Sequence, residues 1–228
     1  MLLLSAELYC ANRQSDGWRS IVASVRKVFS GQLTEAAMPQ GCAGSAKAPD
    51  GSTLGGQGQC AGRTDGALPG ACVDGVDWWD ALDIIGMDAY FVLNGTTVDD
   101  IVAQWSEYKS FAKEVSAKHD NKPVVFTEIG YCSGHCSRDH AASEADYEQQ
   151  ARHYEAVFEA FRGEDWFLGA FWWNWNADDG SYAGADDFLS PQWKPAEDVL
   201  RKYYRATEPK PMPSAARSQC AGDGKGTC

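Results

Sequence analysis

Two glutamates, Glu7 and Glu128, each stand at the end of a short apolar run. Two carboxyl groups that meet in one cleft can cleave a glycosidic bond, because one protonates the leaving oxygen while the other attacks the anomeric carbon or activates water. Polar and aromatic side chains end the other apolar runs, and aromatic faces stack on the apolar faces of sugar rings. These further candidates for substrate binding are Asp88, Tyr90, Trp173 and Trp175.

The apolar runs that must position these residues alternate with amphipathic helical patterns. Thr97 followed by Asp100 predicts a capping box at the start of one helix, and Ser15 is the expected N-cap of an earlier one. Strands that are apolar on both faces and alternate with such helices indicate a parallel sheet covered by helices. The predicted strands are residues 2–8, 32–37, 84–92, 123–129 and 168–173.

Two α/β architectures fit this alternation, an open doubly wound sheet and a (β/α)8 TIM barrel. A doubly wound dinucleotide-binding protein has a GxGxxG sequence after a strand, and no predicted strand carries one. The polar and aromatic strand ends favour the barrel, because the carboxyl ends of its strands converge on one face. We therefore expect an incomplete (β/α)8 barrel with about five βα units.

The cysteines and their surroundings predict domain limits and a compartment. The chain has eight cysteines, an even set placed mostly among glycine, serine and proline, which is typical of loop disulfides in a secreted protein. Sequence leaves their connectivity open. We predict a barrel domain over residues 1–206 with a Cys/Gly-rich insert at 41–76, and a Pro-containing linker and Cys-bearing tail at 207–228. Asn94 begins a glycosylation sequon, which agrees with secretion.

Composition excludes several classes of protein. The net charge of −12 argues against a protein that follows nucleic-acid phosphates, and no apolar run approaches the roughly 20 residues of a membrane-spanning helix. The Cys132, His135, Cys136 and His140 group lacks the two separated ligand pairs of a structural zinc site. We predict no metal and no cofactor, and we expect a monomer that binds a polysaccharide or oligosaccharide.

Five segments resemble glycoside hydrolase family 113, the β-mannanase-like enzymes. They are LSAEL at 4–8, DIIGMDAYF at 83–91, PVVFTEIGYCS at 123–133, GAFWWNW at 169–175 and WKPA at 193–196. The resemblance implies a retaining hydrolase of β-1,4-linked mannan with Glu128 as nucleophile and Glu7 as acid/base. It also implies that Tyr90 hydrogen-bonds the nucleophile and that Trp173, with Trp175 behind it, forms a platform under the sugar.

The sequence departs from the pattern of this family at two points. Ala6 occupies the place where these enzymes carry an Asn that holds the sugar 2-hydroxyl, and the strands correspond to barrel strands four to eight, which implies truncation at the N-terminus. The alternative interpretation is a non-catalytic carbohydrate-binding or interaction protein derived from such a barrel. For the enzyme we expect Glu7 to be buried and its carboxyl group to lie ~5–5.5 Å from that of Glu128.

Overall fold

The computed structural model describes residues 1–8, 11–38, 73, 76–133, 144–175 and 189–205. Five parallel strands form one sheet in chain order, so each strand pairs with the next one along the chain. The strands are β1 (Leu2–Ala6), β2 (Leu33–Ala37), β3 (Ile85–Asp88), β4 (Val124–Ile129) and β5 (Phe167–Trp172). All five predicted strands are therefore present, although β3 ends at Asp88 rather than at residue 92.

Four α-helices follow the pattern of apolar residues. They are α1 (Ser15–Val25), α2 (Val98–Lys118), α3 (Glu144–Ala160) and α4 (Pro195–Arg205). The capping box is confirmed, since the Thr97 hydroxyl accepts from the Asp100 N–H and the Asp100 carboxylate accepts from the Thr97 N–H. The expected N-cap at Ser15 is wrong: Gln14 holds that position without a side-chain bond, and the Ser15 hydroxyl accepts from Arg19 instead.

Aromatic side chains fill the core between the sheet and the helices. Trp105 of α2 is fully buried and packs against Phe126 of β4 and Phe161 beyond α3. Trp18 stacks on Trp78 with ring centroids 5.0 Å apart beneath the first strands. Aromatic burial of this size dominates core energetics. Trp18, Trp78 and Trp105 therefore belong to the buried core.

The chain returns to the fold before the predicted end of the insert. Val73 and Val76 fall inside the predicted range 41–76, yet both are buried in the core. The Val73 N–H donates to the Met38 carbonyl, which follows β2. The core therefore includes Val73 and Val76, although composition assigned both residues to the insert. The predicted tail at 207–228 and the cysteines other than Cys132 lie outside the described residues.

Both edges of the sheet are open in the part of the chain that the structure describes. Leu3 of β1 is 41% exposed, and Leu168 and Phe171 of β5 are more than half exposed. Parallel sheets are normally covered on both faces.

Among the described residues no helix is long and apolar enough to cross a membrane.

Candidate active site

Acidic side chains from four neighbouring strands lie at one end of the sheet, the end at which the carboxyl ends of the parallel strands meet. Glu7 follows β1, Glu35 lies in β2, Asp88 ends β3 and Glu128 lies in β4. Asp88 and Glu128 are direct Cα partners across β3 and β4. Because β1 and β4 run parallel in one sheet, Glu7 and Glu128 lie at the same end of it.

Glu128 is held by a tyrosine hydroxyl. The Tyr90 hydroxyl, in the segment after β3, donates to Glu128 Oε2 over 2.8 Å, which confirms the contact expected from the resemblance. Burial raises the pKa of Tyr90 well above its usual range, and the hydrogen bond to Glu128 raises it further. Tyr90 therefore stays protonated as a donor, and its bond fixes the direction of the Glu128 carboxyl group.

Asp88 is fully buried beside Glu128. The Thr127 hydroxyl donates to Asp88 Oδ1 over 2.7 Å, while Oδ2 is buried without a hydrogen-bond partner among the described residues. Burial raises the pKa of Asp88 to about 7 against the opposing effect of the Thr127 bond. The nearby negative charges of Glu128, Glu7 and Glu35 contribute to this rise. The expected contact of Asp88 with substrate does not fit this burial.

Glu7 differs from the expectation in its burial. Its side chain is exposed, because β1 has β2 on one side and, within the described residues, no strand on the other. The Glu7 backbone has a φ of 55°, an uncommon left-handed conformation for a residue other than glycine. Its N–H donates to the Ala36 carbonyl over 2.9 Å, which ties this turn to the end of β2.

The two predicted aromatic platform residues lie in different surroundings. Trp172 stacks on Tyr154 of α3 with centroids 4.0 Å apart and therefore faces the helices. Side chains alternate along a strand, so Trp173, which is 48% exposed, is expected on the opposite face. Trp175 instead lines a cavity of about 630 Å³ with Phe171 and residues of α4.

Glu35 is the site residue that the sequence analysis did not identify. It lies in the middle of β2, is fully inaccessible to solvent and accepts hydrogen bonds from Ser5 and Asn12. Burial raises the pKa of Glu35 to about 7, and the bonds from Ser5 and Asn12 act in the opposite direction. The signal in the sequence was a glutamate within a short strand whose other residues are Leu, Thr and Ala.

No group of three or more His, Cys, Asp or Glu side chains in the described ranges is arranged to hold a metal ion. The chemistry available at this edge is that of carboxyl groups, a tyrosine hydroxyl and aromatic faces.

Parallel βα units that carry functional side chains at the carboxyl ends of their strands are the architecture of part of a (β/α)8 barrel. The model of glycoside hydrolase family 113 matches residues 70–188, which is more than half of the 228-residue chain. The chain therefore belongs to glycoside hydrolase family 113. The matched range contains Glu128 and Tyr90, whereas Glu7 precedes it.

Solved structures agree with this assignment. A family 113 β-mannanase from Alicyclobacillus acidocaldarius is 26% identical with a TM-score of 0.59, and the match covers 90% of this chain and 54% of that one. A family 113 β-1,4-mannanase is 24% identical with a TM-score of 0.62 and coverages of 90% and 55%. A β-glucuronidase from Faecalibacterium prausnitzii shares the fold at 15% identity, with a TM-score of 0.52 and coverages of 90% and 31%.

The chain spans about half the length of the family 113 structures that it matches. Its five-stranded parallel sheet is accordingly an incomplete (β/α)8 barrel, which confirms the predicted fold class. A comparison with curated proteins returned no match.

Proposed function

We propose that the protein hydrolyses β-1,4-linked mannan-type polysaccharide with retention of configuration, with Glu128 as nucleophile and Glu7 as acid/base. The observation that carries this proposal is the hydrogen bond from Tyr90 to Glu128, within the range that matches the family model. This bond aims a carboxyl oxygen at the edge where the strands end. The printed activity of the two similar family 113 structures, β-mannanase, supports the choice of substrate.

The proposed reaction has two displacements at the anomeric carbon. Glu128 attacks that carbon and forms an ester to the sugar while the glycosidic bond breaks, and Glu7 gives its proton to the leaving oxygen. Glu7 then takes a proton from water, whose oxygen attacks the same carbon and displaces Glu128. Direct attack requires the two carboxyl groups to lie ~5–5.5 Å apart, because a wider gap admits water.

Trp173 is the proposed platform for the sugar at the cleavage point. Its half-exposed ring follows β5, one residue beyond the helix-facing Trp172. Trp175 contributes a second exposed aromatic surface further along. Sugar rings stack on such faces through their apolar C–H groups, so both tryptophans fit a role in holding an oligosaccharide.

A second function is favoured by one specific observation. Glu7 is exposed on an edge strand, and Ala6 offers no polar side chain to hold the sugar 2-hydroxyl. A protein with this arrangement can stack and retain a sugar without turning it over. The second candidate is therefore a carbohydrate-binding protein derived from the same barrel.

Hydrolysis of reducing-end-labelled manno-oligosaccharides separates the two functions. We expect labelled shorter products, and NMR of the first product formed should show the β-anomer. Glu128→Gln should abolish turnover, because the amide cannot attack the anomeric carbon. Glu7→Ala should retain slow cleavage only of substrates with good leaving groups, and azide should accelerate it by replacing water as attacking group.

Glu107→Gln is the matched control, because it makes the same chemical change at an exposed position on α2. Its turnover should equal that of the parent chain. Binding of the oligosaccharide without cleavage by the parent chain would support the binding protein and contradict the hydrolase. A product of inverted configuration would contradict the double displacement.

We also propose that the protein is secreted. Support comes from the even number of cysteines, from the disulfide bond of Cys132 and from the exposed position of Asn94 in its sequon. Thiol labelling under denaturing conditions should find no free cysteine in protein from an oxidising compartment. Complete labelling of all cysteines would contradict the proposal.

A further inference from the structure

Glu35 is a buried carboxyl group with both oxygens engaged. Its Oε1 accepts from Asn12 Nδ2 over 2.8 Å, and its Oε2 accepts from the Ser5 hydroxyl. The side chain has no exposed surface. The proposed double displacement gives Glu35 no part, so its burial and its two bonds call for another explanation.

The two donors flank Glu7 in the sequence. Ser5 lies in β1, before Glu7. Asn12 comes after Glu7 and lies in the short 3-10 helix Ala11–Arg13. Between these contacts, the Glu7 N–H donates to the carbonyl of Ala36, the residue after Glu35. The turn that carries Glu7 is thus bound to β2 at three points, and Glu35 supplies two of them.

Asn12 is itself fixed to the core. Its carbonyl accepts from the buried Trp78 ring over 2.9 Å, and its N–H donates to the Leu8 carbonyl over 2.8 Å. Because Asn12 is held in this way, its hydrogen bond to Glu35 fixes the position of the chain that follows Glu7. Side chains that support a reacting group in this manner set its geometry within fractions of an ångström.

We propose that Glu35 is a positioning residue that holds the Glu7 carboxyl group in place by binding the chain on both sides of it. Full burial prevents Glu35 from contacting a sugar, so it acts through Glu7. The inference rests on the proposed function for the role of Glu7 as acid/base. The positioning itself is a property of the chain and is measurable without substrate.

Hydrogen exchange of backbone amides on the full chain tests the positioning. In Glu35→Ala, the Glu7 and Asn12 amides should exchange about tenfold faster or more, because local opening of the turn becomes easier. The Val124 amide, which donates to Trp166 at the far end of the sheet, should be unchanged. Glu35→Gln should exchange like the parent chain, because an amide can accept from Asn12 and donate to Ser5.

Two further variants keep the test decisive if Glu35→Ala does not fold. Ser5→Ala removes one of the two bonds and should accelerate Glu7 exchange to a smaller extent. Ser116→Ala, which removes a bond from a buried serine to the Lys122 carbonyl before β4, is the control and should leave Glu7 exchange unchanged. Unaltered Glu7 exchange in both Glu35→Ala and Ser5→Ala, or equal acceleration at Val124, would overturn the inference.

Hydrolysis supplies a second readout that a purely structural role would not move. Oligosaccharides need the proton of Glu7 at the leaving oxygen, whereas aryl mannosides with good leaving groups do not. Because kcat/KM reports the first displacement, Glu35→Ala should lose about 10²-fold more kcat/KM on the oligosaccharide than on the aryl mannoside, the scale of a lost general acid. Glu35→Gln should restore most of it. Equal losses would overturn the action through Glu7. If the parent chain cleaves neither substrate, the proposed function fails and amide exchange alone decides the inference.

Discussion

Asp88→Asn removes a buried carboxyl group while keeping its shape and the hydrogen bond from Thr127. The pKa of Asp88 rises from 3.8 to about 7 in the folded chain. A raised pKa stabilises the folded state fully below the unfolded pKa of about 4, and this stability is lost as pH rises toward 7. A rise of about three units corresponds to about 4 kcal/mol of unfolding free energy.

The variant is expected to lose this pH dependence. Its added N–H group lacks a partner where Oδ2 is buried unpaired, which costs about 1–3 kcal/mol at every pH. Asp88→Asn should therefore be no more stable than the parent chain at pH 4.5 and should gain on it by up to about 4 kcal/mol by pH 8. Glu35, whose pKa is also about 7, makes the unfolding free energy of both proteins depend on pH. Its contribution cancels largely when the two unfolding free energies are subtracted.

Urea unfolding followed by tryptophan fluorescence between pH 4.5 and 8 measures the effect as the difference in unfolding free energy. Asp99→Asn, at an exposed position in the first turn of α2, is the control and should keep the slope of the parent chain. Parallel stability curves for Asp88→Asn and the parent chain would refute the reasoning, because they would mean that Asp88 titrates alike in the folded and unfolded states.

Three other substitutions test separate features. Tyr90→Phe removes the donor to Glu128, so kcat in steady-state hydrolysis should fall about 10²-fold, and an unchanged kcat would contradict its role. Trp105→Ala empties the center of the aromatic core and should lower the unfolding free energy in urea by about 3–5 kcal/mol. Leu168→Lys places a charge on the open edge strand β5 and should reduce association in light scattering, whereas Val28→Lys, at an exposed position away from the strands, should not.

The fold was predictable where the pattern of side chains is local. The apolar runs identified all five strands, and the Thr97–Asp100 pair marked the start of α2 correctly. These features depend on periods of two or 3.6 residues and on short-range capping, which sequence displays directly.

The support of the site was not predictable, because it depends on contacts between distant residues. Glu35 depends on hydrogen bonds from Ser5 in the neighbouring strand and from Asn12 in the short 3-10 helix Ala11–Arg13. Neither pairing follows a periodic pattern in the sequence. The exposure of Glu7 depends on which strand lies beside β1. The apolar pattern of a strand does not identify its neighbours in the sheet. The burial of Asp88 likewise follows from the packing of β3 between β2 and β4.

The bond between Met38 and Val73 bears on how this protein can change in evolution. It brings together the two ends of residues 39–72 at the carboxyl end of β2, so the fold needs only that they meet there. Closing a loop costs only about 0.6 kcal/mol more for each doubling of its length. Descendants of this gene can therefore lengthen, shorten or exchange the segment while Glu35 and the sheet stay in place. The length of the chain can then vary at the carboxyl end of β2, while the core sequence remains under separate selection.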